Sequence, residues 1–201
     1  MNYQLILDET IKKLDYVPKL LLHACCSPCS SYVIEYLSKF FSITILYYNP
    51  NIDTEEEFNY RFNELKRFIS EFKTEHPVEL VNLGYLKEEY EKIIPGLENE
   101  PERGLRCLKC YELRLDKSFC YAKDNDFDYV TTTLTLSPHK NSKVINEIGR
   151  KLEMKYHFPY LYSDFKKREG YKRSIVLSHE YNLYRQDYCG CRFSKKIKVN
   201  E

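Results

Sequence analysis

An α/β fold with a parallel sheet is what this chain predicts, on three observations. Short apolar runs, of which Leu20-Leu21-Leu22 is the first, alternate with stretches of helical spacing. Such alternation closes into parallel strands joined by right-handed crossovers. The first run leads straight into His23-Ala24-Cys25-Cys26-Ser27-Pro28-Cys29. A thiol-rich segment there sits at a strand's C-terminal end, where open α/β sheets bind their ligands.

The elements follow in order. Tyr3 to Leu14 is amphipathic, with Ile6, Ile11 and Leu14 partly on one face, and Pro18 ends it. Leu20–Ala24 is the first strand. Pro28 and Ser30 open a helix to about Phe40, with Val33, Tyr36, Leu37 and Phe40 inward. Ser42–Tyr48 is the second strand, ended by Asn49-Pro50-Asn51. Thr54 and Glu57 have capping-box spacing, and Phe58, Phe62, Leu65, Ile69 and Phe72 continue that helix. Val78–Leu83 is the third strand, and a short helix follows near Glu88–Ile94. Pro95–Gly104 reads as a loop. Leu105–Asp124 is helical, Asp128–Leu134 the fourth strand, Asn141–Met154 helical, His157–Leu161 a candidate fifth strand and Phe165–Tyr184 helical. Tyr188-Cys189-Gly190-Cys191-Arg192 is a turn. The loops after the first and fourth strands flank the place where the winding reverses, so Cys25 and Cys26 are expected near Thr135 to His139.

The chain has 201 residues, 43% hydrophobic and 30% charged, which suits a single domain over 1–201 with a substantial core. No run is long and apolar enough to span a bilayer, and the first fifteen residues lack a signal-peptide pattern. A reducing, cytoplasmic setting is expected. There, eight cysteines favour metal binding or redox chemistry over structural disulfides. Net charge is only +1, but from Asp53 to Glu100 6 Lys+Arg face 13 Asp+Glu, and from Lys151 to Glu201 12 face 6. The basic C-terminal quarter can dock phosphates. On charge alone the better account is a solvated, mixed surface.

The cysteines form three groups: Cys25/Cys26/Cys29, Cys107/Cys110 and Cys189/Cys191, with Cys120 apart. Cys107 and Cys110 share a helical face at a helix start, where the N-terminal field favours thiolate. With Cys25 and Cys26 they make four thiol donors, a set for zinc or an iron–sulfur cluster. Cys29 suits ligation or packing equally. Cys189-Gly190-Cys191 can close a small, strained disulfide ring, and strained disulfides tend to be catalytic. Glycine supplies the backbone freedom such a ring needs. The competing account of this pair is a second set of metal ligands. Cys120 is assigned to packing.

Five stretches then carry a resemblance: Leu21 through Ser31, Tyr47-Tyr48-Asn49-Pro50-Asn51-Ile52, Glu100 through Tyr111, Thr131 through Pro138, and Gln186-Asp187-Tyr188-Cys189-Gly190-Cys191. Together they resemble the QueH-type epoxyqueuosine reductases nearly end to end. The resemblance implies a doubly wound fold of the HUP or ATP-pyrophosphatase-like type. It implies reductive deoxygenation of epoxyqueuosine to queuosine at the wobble position of tRNA, with a [4Fe–4S] cluster on Cys25, Cys26, Cys107 and Cys110. It further implies a redox-active pair at Cys189 and Cys191, and leaves room for an additional iron ion without assigning its ligands. The partners it implies are the tRNA anticodon loop and an electron donor it does not identify, with neither membrane nor DNA.

Around that chemistry, His23 has a suitable unperturbed pKa for a proton donor, yet the end of a buried strand points to a packed histidine. Tyr48 and Asp187 are weaker candidates. Arg61, Arg103 and Asn49 lie in or near the matched loops. Nineteen tyrosines suit base stacking, though most serve packing, and Lys166-Lys167-Arg168 with Lys172-Arg173 is the best phosphate patch. Two rivals remain: a zinc-stabilised nucleic-acid-binding module without redox activity, and a thiol–disulfide oxidoreductase using Cys189 and Cys191 alone.

Overall fold

The computed structural model describes residues 1–195. Four strands, β1 (Lys19–Ala24), β2 (Ser42–Tyr47), β3 (Val78–Asn82) and β4 (Tyr129–Thr132), form an all-parallel sheet in the order β3-β2-β1-β4. In register, Leu22 pairs with Ile45 on one side and Thr131 on the other. Helices α2 (Ser27–Leu37) and α3 (Glu55–Glu71) carry the chain outward from β1 to β3. Helices α4 (Lys87–Glu91) and α5 (Leu105–Asp124) return it to β4, on the far side of β1. The winding therefore reverses beside β1, and a crevice forms at the C-terminal ends of β1 and β4.

Alternate strand residues feed two apolar cores. Leu20, Leu22, Ile43, Ile45 and Tyr47 pack with Leu7 of α1 (Tyr3–Lys12), Val33 and Leu37 of α2 and Phe58, Leu65 and Phe68 of α3. On the opposite face, Leu21, Leu46 and Val130 pack with Leu115 and Phe119 of α5 and Ile145 and Leu152 of α6 (Ser142–Tyr156). Apolar cover on both faces is why these strands read as continuous hydrophobic runs rather than alternating ones.

Local chemistry sets the boundaries. The Thr54 hydroxyl accepts from the Glu57 N–H at 3.2 Å, starting α3. The Glu57 carboxylate does not return to the cap; it accepts from Arg61 Nε at 2.7 Å. Helix α5 spans the predicted residues, and Glu100 accepts from the Leu105 N–H at 2.9 Å at its start. The fourth strand is shorter than expected, because the Thr132 hydroxyl caps a 3-10 turn over Thr133–Leu136.

Two expected elements differ. The fifth strand over His157–Leu161 is a single bridge, Val130 to Tyr160. Pro159 offers no N–H to a ladder, and the Leu161 carbonyl is taken by the Thr131 hydroxyl at 2.8 Å. The helix expected from Phe165 begins only at Gly170, as α7 (Gly170–Glu180). Arg168 and Glu169 have φ of 54° and 61°, which interrupts helical winding. A side chain at Gly170 would meet the Phe165 carbonyl at 2.1 Å and the Tyr32 ring at 2.3 Å, so only glycine lets α7 seat on α2 here.

His23, fully buried in β1, is a packed histidine. Its Nε2 lies 3.1 Å from the Tyr48 carbonyl, which can only accept, so Nε2 carries the proton. Nδ1 then accepts from the Thr132 hydroxyl at 2.9 Å, while that oxygen accepts from the Leu134 N–H. Burial first, and Arg114 second, lower the His23 pKa to about 3. The unfolded chain takes up this proton near its ordinary value, so neutral His23 contributes its full stability above about pH 6.5. That contribution is lost as pH falls toward about 3, at about 1.4 kcal/mol per unit. Between about pH 7 and about pH 5.5 denaturant unfolding is expected to lose about 1.2 kcal/mol to this group, and His23→Asn to remove that loss. An unchanged slope in the variant would refute the assignment.

Candidate active site and thiol pocket

Three remote segments bring their sulfurs to the C-terminal edge of the sheet. The first is the turn from β1 into α2. Cys26 is the N-cap of α2, and its carbonyl accepts from the Ser30 N–H at 3.1 Å and the Ser30 hydroxyl at 2.7 Å. This turn folds Cys25, Cys26 and Cys29 together, with their sulfurs all within 4.8 Å of one another and Cys25 to Cys26 at 3.7 Å. The second segment is the first two turns of α5, which carry Cys107 and Cys110. The third is the Cys189-Gly190-Cys191 turn, where Gly190 takes φ +102°. That turn is docked by its carbonyls: Gly190 O accepts from the Asp53 N–H at 2.9 Å and Cys189 O from Arg61 at 3.3 Å. All eight cysteines are free thiols.

Cys25, Cys107, Cys110, Cys189 and Cys191 line one inner pocket together with Asn51, Tyr90, Arg114 and Lys140. Cys26 backs Cys25 rather than facing this pocket. A larger cavity of about 380 Å³ opens beside it, bounded by Cys25, Cys29, Leu136 to Lys140, Tyr171 and Arg185 to Cys189. Cys25, Lys140 and Cys189 belong to both walls. The expected closeness of Cys25 to the segment after β4 is therefore present.

The charges are lopsided. Arg114 is buried, and its guanidinium donates to Asn49 Oδ1 at 3.2 Å and Asn51 Oδ1 at 3.0 Å, both neutral acceptors, while its Nε has no partner. Lys140 faces Cys25, Cys189 and Cys29. Burial lowers its pKa, but those sulfurs outweigh burial and the net shift is upward. Arg61, 1% exposed, pairs with Glu57, and its second terminal nitrogen is unpartnered. Cationic groups left without carboxylates in a buried site require anions nearby. Glu102 lines both cavities, and the sulfurs of Cys25, Cys110 and Cys189 are the anionic groups that face Arg114 and Lys140. S–H bonds from Cys26 and Cys29, with Lys140 and Arg114 behind them, hold the Cys25 thiol well below its usual range. Cys26 is pushed up to about 11 because its proton serves Cys25. The expectation that the start of α5 favours thiolate is reversed in the free thiols: burial raises Cys107, and raises Cys110 to about 11. Desolvation outweighs the helix field there.

Other candidates fall into place. The Tyr48 hydroxyl is committed to Glu89, and its ring to Lys117 at 5.6 Å. Asn49 is fully buried and donates to the Ala24 carbonyl at 2.9 Å, tying β2 to the thiol turn. The Arg103 N–H donates to Cys107 Sγ at 3.3 Å. Asp187 lines the larger cavity. Cys120 is exposed on α5, away from both pockets, and not in the core as expected. The basic patch is largely spent on carboxylates: Lys166 pairs with Asp164, Arg168 with Asp8, Lys172 with Glu169, and Arg173 with Glu35 and Glu180. Lys196 and Lys198 lie outside the described residues.

Sequence reasoning missed Arg114, Lys140 and Tyr90. Arg114 left a signal, since it stands four residues after Cys110 and so on the same helical face.

Comparison with known proteins places the chain in a family. The family model described as epoxyqueuosine reductase QueH matches residues 20–197. The chain belongs to the epoxyqueuosine reductase QueH family. Epoxyqueuosine reductase QueH of Streptococcus pyogenes serotype M1 is 42% identical over 98% of this chain and 80% of its own length. The protein of that name from Staphylococcus epidermidis is 40% identical over 96% of this chain and 84% of its length. That of Thermotoga maritima is 30% identical over 87% and 89%. The matched span contains all three thiol segments.

Proposed function

We propose that this chain, as one domain, reduces epoxyqueuosine to queuosine in tRNA, with a [4Fe–4S] cluster held by Cys25, Cys26, Cys107 and Cys110 and with Cys189 and Cys191 as its redox-active dithiol. The observation that carries it is the meeting of five thiols from three segments around a buried arginine held by neutral amide oxygens, in a chain of this family. The fit to the cluster is one of donor chemistry and charge. All the candidate donors are thiols, the softest protein ligands, and Arg114 and Lys140 offset the charge of a thiolate-ligated centre. When bound, the cluster supplies one-electron transfer beside the substrate.

The chain's own residues account for the rest of the balance. Opening the epoxide to an alkene consumes two electrons and two protons and releases water. Oxidation of the Cys189/Cys191 dithiol to a disulfide releases two electrons and two protons. The larger cavity, at about 380 Å³, is in the range of small-molecule sites and seats the modified base. Tyr171 and Tyr188 offer rings for stacking, and Arg185 and Asp187 polar edges. Lys140, on the shared wall, faces oxygen-bearing groups that enter from that side. No helix of the described residues is long and apolar enough to cross a membrane, and a tRNA substrate places the protein in the cytoplasm.

Anaerobically reconstituted protein assayed on epoxyqueuosine-containing tRNA, with products read by nucleoside mass, tests this directly. Cys189→Ser is expected to keep the visible absorbance of the cluster and to lose multiple turnover. Sustained turnover in that variant would remove the dithiol from the mechanism. A colourless protein that carries zinc and binds tRNA without reducing it would favour the nucleic-acid-binding alternative.

A further inference from the structure

The two sulfurs of the Cys189-Gly190-Cys191 turn are not equivalent. Cys189 is half-buried and borders both the inner pocket and the larger cavity, whereas Cys191 is 7% exposed and borders only the inner pocket. Their hydrogen bonds differ as well. Cys191 Sγ lies 3.1 Å from the hydroxyl of Tyr90, itself buried on α4. Cys189 Sγ lies 3.1 Å from the Ser194 hydroxyl, whose single proton is already donated to the Cys191 carbonyl at 2.8 Å. Ser194 can therefore only accept from the Cys189 thiol. The backbone fixes this asymmetry: Arg61 holds the Cys189 carbonyl and Asp53 the Gly190 carbonyl, so the turn cannot rotate to exchange its two sulfurs.

We propose that Cys189 is the sulfur through which an external thiol reductant regenerates the pair, and that Cys191 is the resolving sulfur, held toward the inner pocket by Tyr90 as a positioning residue. This deepens the function proposed above and rests on it only for the purpose of the cycle. A reductant thiolate entering by the larger cavity attacks Cys189. The Cys189–Cys191 bond breaks, a mixed disulfide forms between the reductant and Cys189, and Cys191 leaves as a thiolate within reach of the Tyr90 hydroxyl. A second thiol of the reductant, as its thiolate, then attacks the reductant's own sulfur in that mixed disulfide. The reductant departs as a disulfide, and Cys189 and Cys191 are left reduced, having gained two electrons and, from solvent, two protons.

Thiol–disulfide exchange is reversible, so the sulfur that forms the mixed disulfide can be trapped from the reduced side. Reduced, cluster-loaded Cys191→Ala and Cys189→Ala proteins are each treated anaerobically with glutathione disulfide and mapped by peptide mass. The expected result is a glutathione adduct on Cys189 in the first variant, formed at least about tenfold faster than any adduct on Cys191 in the second. Equal rates, or faster labelling of Cys191, overturn the assignment. Tyr90→Phe keeps the ring and removes the hydroxyl. It is expected to shift the dithiol–disulfide equilibrium of the 189–191 peptide about fivefold toward the disulfide, with the rate of Cys189 labelling retained. An unshifted equilibrium would deny Tyr90 its role. These readouts need no epoxyqueuosine, so they succeed or fail separately from the reductase activity.

Discussion

Cys25→Ser is expected to lower turnover by more than about a hundredfold and to bleach the visible absorbance of reconstituted protein. Losing an outer-shell partner of a metal site already costs about 10- to 100-fold, and a ligand costs more. Cys25 is the strongest choice among the thiols for geometric reasons. It touches Cys26 at 3.7 Å, belongs to the compact trio with Cys29, and lines both cavities. It is also the sulfur of its trio held most readily as thiolate, by the S–H bonds from Cys26 and Cys29. A serine hydroxyl cannot supply a soft anionic donor near neutral pH. Cys120→Ser is the matched control: that thiol is exposed on α5, and stability and colour are expected to stay within about 0.5 kcal/mol and unchanged, respectively. Full colour and full turnover in Cys25→Ser would sink the assignment of this segment to the metal.

The second large effect belongs to Arg114. Arg114→Leu removes a buried cation and leaves the Asn49 and Asn51 side-chain oxygens without their shared donor. The expected loss of folding stability is about 3 kcal/mol, from two unpaired amide oxygens and the disrupted charge balance. Asn49 also donates to the Ala24 carbonyl, so the loosened turn is the one that carries Cys25. Taking this positive charge away raises the Cys25 thiol pKa, which makes alkylation of Cys25 in the metal-free protein slower at a fixed pH. Arg114→Lys keeps the charge but cannot span both amides. It is expected to restore the alkylation rate more than the stability. Denaturant unfolding and the pH profile of alkylation check both halves. Wild-type stability in Arg114→Leu would mean that the two oxygens find other donors.

Much of this molecule was legible before its coordinates, for identifiable reasons. Helix α5 is found to the residue, because Gly104 precedes it and its apolar positions keep helical spacing for five turns. Alternation predicts the parallel sheet, and the usual arrangement of such sheets puts the reversal between the first and fourth strands, which located the thiols at the correct edge. The misses have physical causes. His157–Leu161 has the composition of a strand, but Pro159 lacks an N–H and the Thr131 hydroxyl takes the Leu161 carbonyl, so pairing stops at the single Val130–Tyr160 bridge. The late start of α7 depends on the contact between Gly170 and Tyr32, which lie far apart in the chain. At the site, the three thiol groups stood out by spacing. Lys140 and Tyr90 did not, since a lysine after a turn or a tyrosine on a five-residue helix becomes chemically special only through what packs against it. The basic run from Lys166 to Arg173 shows the converse, a conspicuous pattern that tertiary pairing mostly neutralises.

The inner pocket draws its walls from Cys25, from Cys107 and Cys110, and from Cys189, segments about eighty residues apart in sequence. Contacts of such long sequence separation form late, since the loops they close must first be ordered. A ribosome must therefore have released the polypeptide through Cys189 before these sulfurs can meet. Any inorganic centre assembled among them is a post-translational acquisition, and the nascent protein must keep eight reduced thiols safe until then.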